Sequence, residues 1–342
     1  MATLIGAFAT SHGPLLSMPP ELWHLRAEAD RRNPAHWYRG RTYDYAQLLV
    51  ARAPGFQASA EPQAQHAQYE ACQRALDKLA QRFAALRPDL VVVLGNDQSE
   101  VFKEDLTPAI TVFTGAQVEN VPLGEAQRLR LPPGVAEAED GHCPLGGATY
   151  RGAPEAALQL VRTLVGEGFD VAVSSRLPGG ENRQHGIPHA FGFVYRRVMR
   201  DAPPPSIPVF LNVGVAPNQP RVARCLAFGR ALATAIRALP DGLRVAVVAS
   251  GGMSHFVVDE AFDRQVLQAL AQGDEATLRE IPESWFNGNT AEIKSWLPLA
   301  GLAHEAGLAM TLVDYVACYR SEAGTGSGMA FASWEAAREP QS

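Results

Sequence analysis

Several apolar runs in this chain are each followed at once by a residue that can bind a metal or move a proton. Ser11-His12-Gly13-Pro14 follows the first, Asn96-Asp97-Gln98 the second, and Gly251-Gly252-Met253-Ser254-His255, then Asp259-Glu260, the last. Asn212 and the Pro217-Asn218-Gln219-Pro220 turn stand behind another. One histidine behind a strand ordinarily just satisfies hydrogen bonds, whereas several such ends gathered at one rim make a site. His12 and Glu260 are the leading metal-ligand candidates. An imidazole and a carboxylate with open positions left over is the composition of a non-haem Fe(II) centre that admits a chelating substrate and dioxygen. The plainer role for Glu260 is a solvated carboxylate in a first helical turn, favoured by the helix dipole. The four cysteines, Cys72, Cys143, Cys225 and Cys318, are scattered without a CxxC pair, which excludes a closed thiolate site and fits reduced thiols.

A third ligand candidate comes from helical geometry. Tyr69, Cys72, Leu76, Leu79, Phe83 and Leu86 form an apolar stripe at helical spacing, and one more turn back along it lies His66. A crossover helix runs antiparallel to its strands, so the spacing predicts an inward-facing His66 at the rim that carries His12. The alternative is a buried histidine bonded to a neighbour. His189 opens a helix after a Gly/Arg/Asn-rich loop, with His185 four residues earlier. Pro188 between them argues against chelation from one helix face, so one of the two is better suited as a site acid or base. The bland reading of His185 is an exposed loop residue. His24, His36, His142 and His304 read as surface or packing residues. GGMSH and AGTGSG match neither a phosphate loop nor a dinucleotide fingerprint, and no GxSxG elbow is present.

These residues need a frame. Residues 3–10, 89–95, 170–174, 207–213 and 243–249 are Val/Ile/Leu-rich and short, as buried strands are. Helical periods fill about 62–86, 153–167, 189–200, 221–238 and 259–272. The alternation predicts an α/β fold: a mostly parallel central sheet with helices on both faces, whose chemistry collects at the carboxyl ends of the strands. Residues 17–60, polar and rich in Trp, Tyr and Arg, read as an N-terminal covering excursion, and 282–335 as an extra helical C-terminal part. We expect residues 1–342 to form a single catalytic domain, since no linker or repeat divides them. Apolar residues at 46% and charged residues at 19% support a large core, and a net charge of −6 without a basic block disfavours nucleic-acid or membrane partners. No leader pattern or membrane-length apolar run is seen, so the expected location is cytoplasmic.

Over nearly its whole length the chain resembles the class III extradiol ring-cleavage dioxygenases, the family of the protocatechuate 4,5-dioxygenase β subunit, and is most similar to the 3-O-methylgallate dioxygenase branch. The strings that carry this are SHGPLLSMPPELW, RNPAHWYRGRTYDY, LGNDQSEVF, HAFGFVYRR, LNVGVAPNQP, SGGMSHFVVDEAFD, NTAEIKSWLPLAG and DYVACYRSEAGTGSGMAFASWE. The resemblance implies an Fe(II) enzyme opening the ring of a catechol- or gallate-type aromatic acid with O2, with His12 and Glu260 as two ligands. Where protocatechuate-type members have NDH, this chain has Gln98, so the third ligand is either Gln98 or another imidazole, His66. His189 resembles the second-sphere active-site histidine, and the family's other catalytic histidine falls near Val215–Ala216, where there is none. Asn212 and Arg320 are the candidates for holding a substrate carboxylate, and a homodimer is the expected assembly. The rival readings are a zinc-dependent hydrolase on the same rim and a non-catalytic homologue or binding subunit of this fold.

Overall fold

A computed structural model describes residues 1–179, 183 and 186–336. Its frame is a sheet of nine strands among those residues: β1 (Thr3–Thr10), β2 (Leu90–Gly95), β3 (Ile110–Phe113), β4 (Ala172–Ser174), β5 (Ser206–Leu211), β6 (Arg244–Ser250), β7 (His255–Val257), β8 (Leu308–Tyr319) and β9 (Thr325–Ala336). The order is β7-β9-β1-β6-β2-β5-β3-β4, with β8 paired along the opposite edge of β9. The four central strands β1, β6, β2 and β5 run parallel to one another. β9 is antiparallel to β1, β7 and β8, and β3 is antiparallel to β5.

The helices used below are α1 (Trp23–Arg32), α2 (Pro62–Leu86), α3 (Pro154–Gly166), α4 (His189–Phe193), α5 (Val222–Arg237), α6 (Glu260–Gln272) and α7 (Leu297–Ala306); shorter ones span Tyr45–Ala51, Glu125–Arg128 and Glu275–Glu280. The reason the sheet must be covered on both sides is visible in β2. Val92 and Leu94 enter one apolar cluster with Leu226 and Ile236 of α5 and Leu299 and Leu302 of α7. Val91 and Val93 enter another with Leu79 and Phe83 of α2 and Phe191 of α4. A strand buried on both faces has no polar side, hence its unbroken LVVVLG. The fold class expected from the sequence is the one observed.

Two expectations on detail are corrected. The C-terminal part is helical only to Ala306; its second half is the long hairpin β8–β9. Gly326 and Gly328 lie in β9, and a Cβ at Gly328 would stand 2.1 Å from the Asp263 carboxylate, so close packing accounts for that glycine. The helix expected over 189–200 is α-helical for His189–Phe193 and then widens to a π-helix over Val194–Val198. Among the described residues no helix is long and apolar enough to cross a membrane.

Register levels the strand ends that carry chemistry. Thr10 pairs with Ser250 and Leu94 with Ala249, so the residues after β1, β2 and β6 emerge at one rim.

Candidate metal centre and active site

That rim floors a cavity of about 480 Å³. His12, Gln98, His189, His255 and Glu292 lie around its base, and the segment 123–142 contributes Leu123, Gln127, Leu131, Pro132, Val135 and His142 to its lining. From the expected covering excursion, Ser17 and Arg26 reach the cavity.

His12, buried directly after β1, places Nδ1 2.9 Å from Ser250 Oγ. The Ser250 hydroxyl donates to the Ala190 carbonyl at 2.6 Å, so it can only accept from His12. Nδ1 therefore carries the proton and Nε2 keeps its lone pair. His255 is fixed in the same tautomer, because its Nδ1 is 2.6 Å from the Met253 carbonyl, which accepts and cannot donate. Both Nε2 atoms face one oxygen: Glu292 Oε2 is 3.4 Å from that of His12 and 3.5 Å from that of His255.

Glu292 comes from a buried 3-10 segment, Gly288–Ser295, that follows no sheet strand. Its Oε2 accepts the Gly252 amide at 2.8 Å, and its Oε1 accepts from the side-chain amides of Gln98 and, at 3.4 Å, Asn96. Gly252 has to be glycine for this approach, since a Cβ there would sit 2.7 Å from His255 Cε1. Burial alone would raise the Glu292 pKa, yet the two facing imidazoles hold it well below the usual carboxylate range. The imidazoles respond in opposite directions. Burial lowers the pKa of His12, while at His255 the Glu292 carboxylate and the Met253 carbonyl outweigh burial and raise it.

The Gln98 loop is held by Asp97, whose carboxylate accepts the Val101 and Phe102 amides at 2.8 Å each and whose pKa burial pushes up to about 7. Next along, Glu100 accepts from His189 through both the backbone amide at 3.0 Å and ring Nδ1 at 2.5 Å. Burial would lower the His189 pKa, but the Glu100 carboxylate raises it to about 8. The His189 ring stands edge-on to His12, with centroids 4.9 Å apart. His142 lies behind it at 5.9 Å and is driven down to about 3, mainly by burial.

Among the described residues no group of three or more His, Cys, Asp or Glu side chains is arranged, as it stands, to hold a metal ion. The fit to a metal rests on the donor set. Two ligands about 2.1 Å from one ion at angles of 90–110° stand roughly 3.0–3.5 Å apart. The separations of Glu292 Oε2 from the two Nε2 atoms match that spacing. Two imidazoles and one carboxylate, each steadied by an outer hydrogen bond, suit a divalent cation with open positions.

Of the residues singled out from the sequence, His12, Gln98 and His189 line the cavity. His66 and Glu260 do not, which corrects their expected placement. His66 is half-exposed, with Nε2 3.2 Å from Glu21 Oε1, because the first turns of α2 run past the core that buries Cys72, Leu76, Leu79 and Phe83. Glu260 turns outward in the first turn of α6, accepting from the Tyr319 hydroxyl at 2.8 Å and lying 3.5 Å from Arg264. Asn212 closes its own turn, bonded through both side-chain atoms to Val215 at 2.9 Å. Arg320 is buried in a two-pronged pair with Asp30 at 2.8 and 3.0 Å. His185 lies outside the described residues. Sequence reasoning named His255 at the end of the strand-end string GGMSH without giving it a role, read His142 as a surface or packing residue, and did not single out Glu292, for which no periodic signal exists.

The family model for the catalytic LigB subunit of aromatic ring-opening dioxygenase matches residues 48–326. A curated relative from Comamonas testosteroni, a 2,3-dihydroxyphenylpropionate/2,3-dihydroxicinnamic acid 1,2-dioxygenase, is 32% identical over 168 residues. That match covers 49% of this chain and 43% of the relative, so it spans less than half of each. An uncharacterized Escherichia coli K12 protein of solved structure aligns over 96% of this chain and 99% of its own, at 16% identity and a TM-score of 0.48.

Proposed function

The chain belongs to the family of the catalytic LigB subunit of aromatic ring-opening dioxygenases, and from that premise we propose that it is an Fe(II)-dependent extradiol dioxygenase acting on a catechol- or gallate-type aromatic acid. The observation that carries this is the pair of imidazoles locked with Nδ1 protonated and both Nε2 lone pairs turned to the Glu292 carboxylate. We assign His12, His255 and Glu292 as the metal-holding residues. Bound there, Fe(II) would supply the positive charge that holds vicinal phenolates and an open position for dioxygen.

The chain's own residues set the rest. Gln98 and Asn96 donate to Glu292 Oε1 and so keep that oxygen turned from the imidazoles, leaving Oε2 to face them. His189 donates through Nδ1 to Glu100, and its Nε2 has no partner among the described residues. With its pKa at about 8 it holds a proton near neutrality, so it is suited to donate that proton to oxygen in the cavity. Leu123, Leu131, Val135 and Phe193 give the ring an apolar wall. A cavity of about 150 Å³ holds a benzene, so 480 Å³ admits a ring with a sizeable substituent.

The test is anaerobic loading with Fe(II) followed by oxygen uptake and ring-opening absorbance with gallate and 3,4-dihydroxybenzoate. Uptake that requires Fe(II) supports the reading. Hydrolytic activity with Zn(II) and no oxygen uptake, or a purified protein that takes up no metal, would overturn it.

A further inference from the structure

Substrates of this class carry an anionic group, and the two residues singled out from the sequence to hold it, Arg320 and Asn212, are occupied elsewhere. The cavity wall offers a different cation. Arg26, on α1, is buried and lines the cavity. Its Nη1 donates to the Pro133 carbonyl at 3.1 Å, which fixes the guanidinium against the 123–142 segment. Its Nε is enclosed without a hydrogen-bond partner. A buried donor left unpaired costs about 1–3 kcal/mol and calls for an explanation.

The surrounding charges make the point stronger. Arg26 and Arg320 stand over the same Phe256 ring, at 5.4 and 5.0 Å from its centroid. The carboxylate acting on both is Asp30, and Arg320 takes both of its oxygens. Two buried guanidiniums thus share one carboxylate, leaving a net positive charge at the wall. Burial and the neighbouring Arg320 lower the Arg26 pKa to about 10, the direction expected of a cation short of counter-charge. Phe256 lines the cavity and directly follows His255, with ring centroids 5.7 Å apart, so Arg26 stands one aromatic ring beyond the metal-holding residues.

We propose that Arg26 is the receptor for the anionic substituent of the substrate, binding a carboxylate on the aromatic ring in the part of the cavity bounded by Phe256 and the Pro132–Val135 turn. This rests on the ring-opening reading and adds its specificity determinant. A planar guanidinium offers a carboxylate the forked, charge-assisted bond that suits it, and the deficit of negative charge around Asp30 is made good only when that carboxylate arrives.

The experiment compares 3,4-dihydroxybenzoate with 3,4-dihydroxybenzamide for binding to the full-length Fe(II)-loaded protein without oxygen. The quantity read is the ratio of the two dissociation constants. Wild type should prefer the acid, and Arg26→Gln should lower that preference on the order of tenfold or more. Arg26→Lys keeps the charge without the fork, so it should lower the preference by less; it also carries the comparison if Arg26→Gln does not fold. An unchanged ratio in both variants, whether or not the two affinities move together, would overturn the anchor while leaving ring opening intact. If neither diol binds the wild-type protein, the ring-opening reading falls and the anchor with it.

Discussion

Ser250→Ala tests the core of the metal-site argument, because Ser250 contributes no ligand and acts only by fixing a proton. Its hydroxyl is fully buried between the His12 Nδ1–H and the Ala190 carbonyl. Removing it strands a donor and an acceptor, each costing about 1–3 kcal/mol in the folded state. It also removes what holds His12 in the tautomer with a free Nε2. Loss of such an outer hydrogen bond lowers metal affinity about 10–100-fold, or about 1.4–2.8 kcal/mol. The assay is competitive chelator titration of Fe(II) and Co(II) under anaerobic conditions, with urea denaturation of the metal-free protein alongside. Ser295→Ala is the control, since Ser295 is equally buried but its hydroxyl has no partner among the described residues, so its removal should disturb neither quantity. If Ser250→Ala loses stability yet binds metal as tightly as wild type, the tautomer reasoning is refuted.

Other outcomes follow from the same geometry. Glu292→Gln keeps the shape of the side chain and removes its charge, so metal analysis should find the site empty, while Glu260→Gln and His66→Ala should retain the wild-type metal content. Asp30→Asn would leave the Arg320 guanidinium unpaired in the core, lowering stability by about 3–5 kcal/mol in a urea titration; a change under 1 kcal/mol would show the pair to be dispensable. His142 is held near pKa 3 in the folded state, below its ordinary 6.5, so the unfolded chain takes up the proton more readily. Its contribution is intact above pH 6.5 and is lost as pH falls towards 3, and His142→Asn should flatten the stability profile in that window.

The frame was legible where burial dictates composition. β2 and β6 are apolar on both faces, and α2 spans the residues its stripe predicts, because core packing continues along most of its length. The same stripe misled at His66, since a periodic pattern says which face a residue shares but not where the neighbouring structure ends. The rim itself was readable, and with it His12, Gln98 and His189. Which carboxylate completes it was not. Glu260 follows His255 closely in sequence, but Asp259 caps the helix and turns the next residue outward. Glu292 sits in a 3-10 segment whose residues are buried with no helical or strand period, so its side-chain direction is set wholly by tertiary packing. The β8–β9 hairpin, expected as helix, escaped for a related reason: its small residues are pressed between neighbours that the sequence does not name.

The position of β9 also orders events during synthesis. β1 is made before the other strands of this sheet, carrying His12 at its end, yet one edge of it is closed by residues 331–334 and the other by β6. Until translation has passed residue 334, that first strand has an open flank of unpaired amides beside His12. A chain halted between α7 and β9 would hold most of its helices and still present a raw sheet edge, making late truncation a cause of aggregation before it is a cause of lost catalysis.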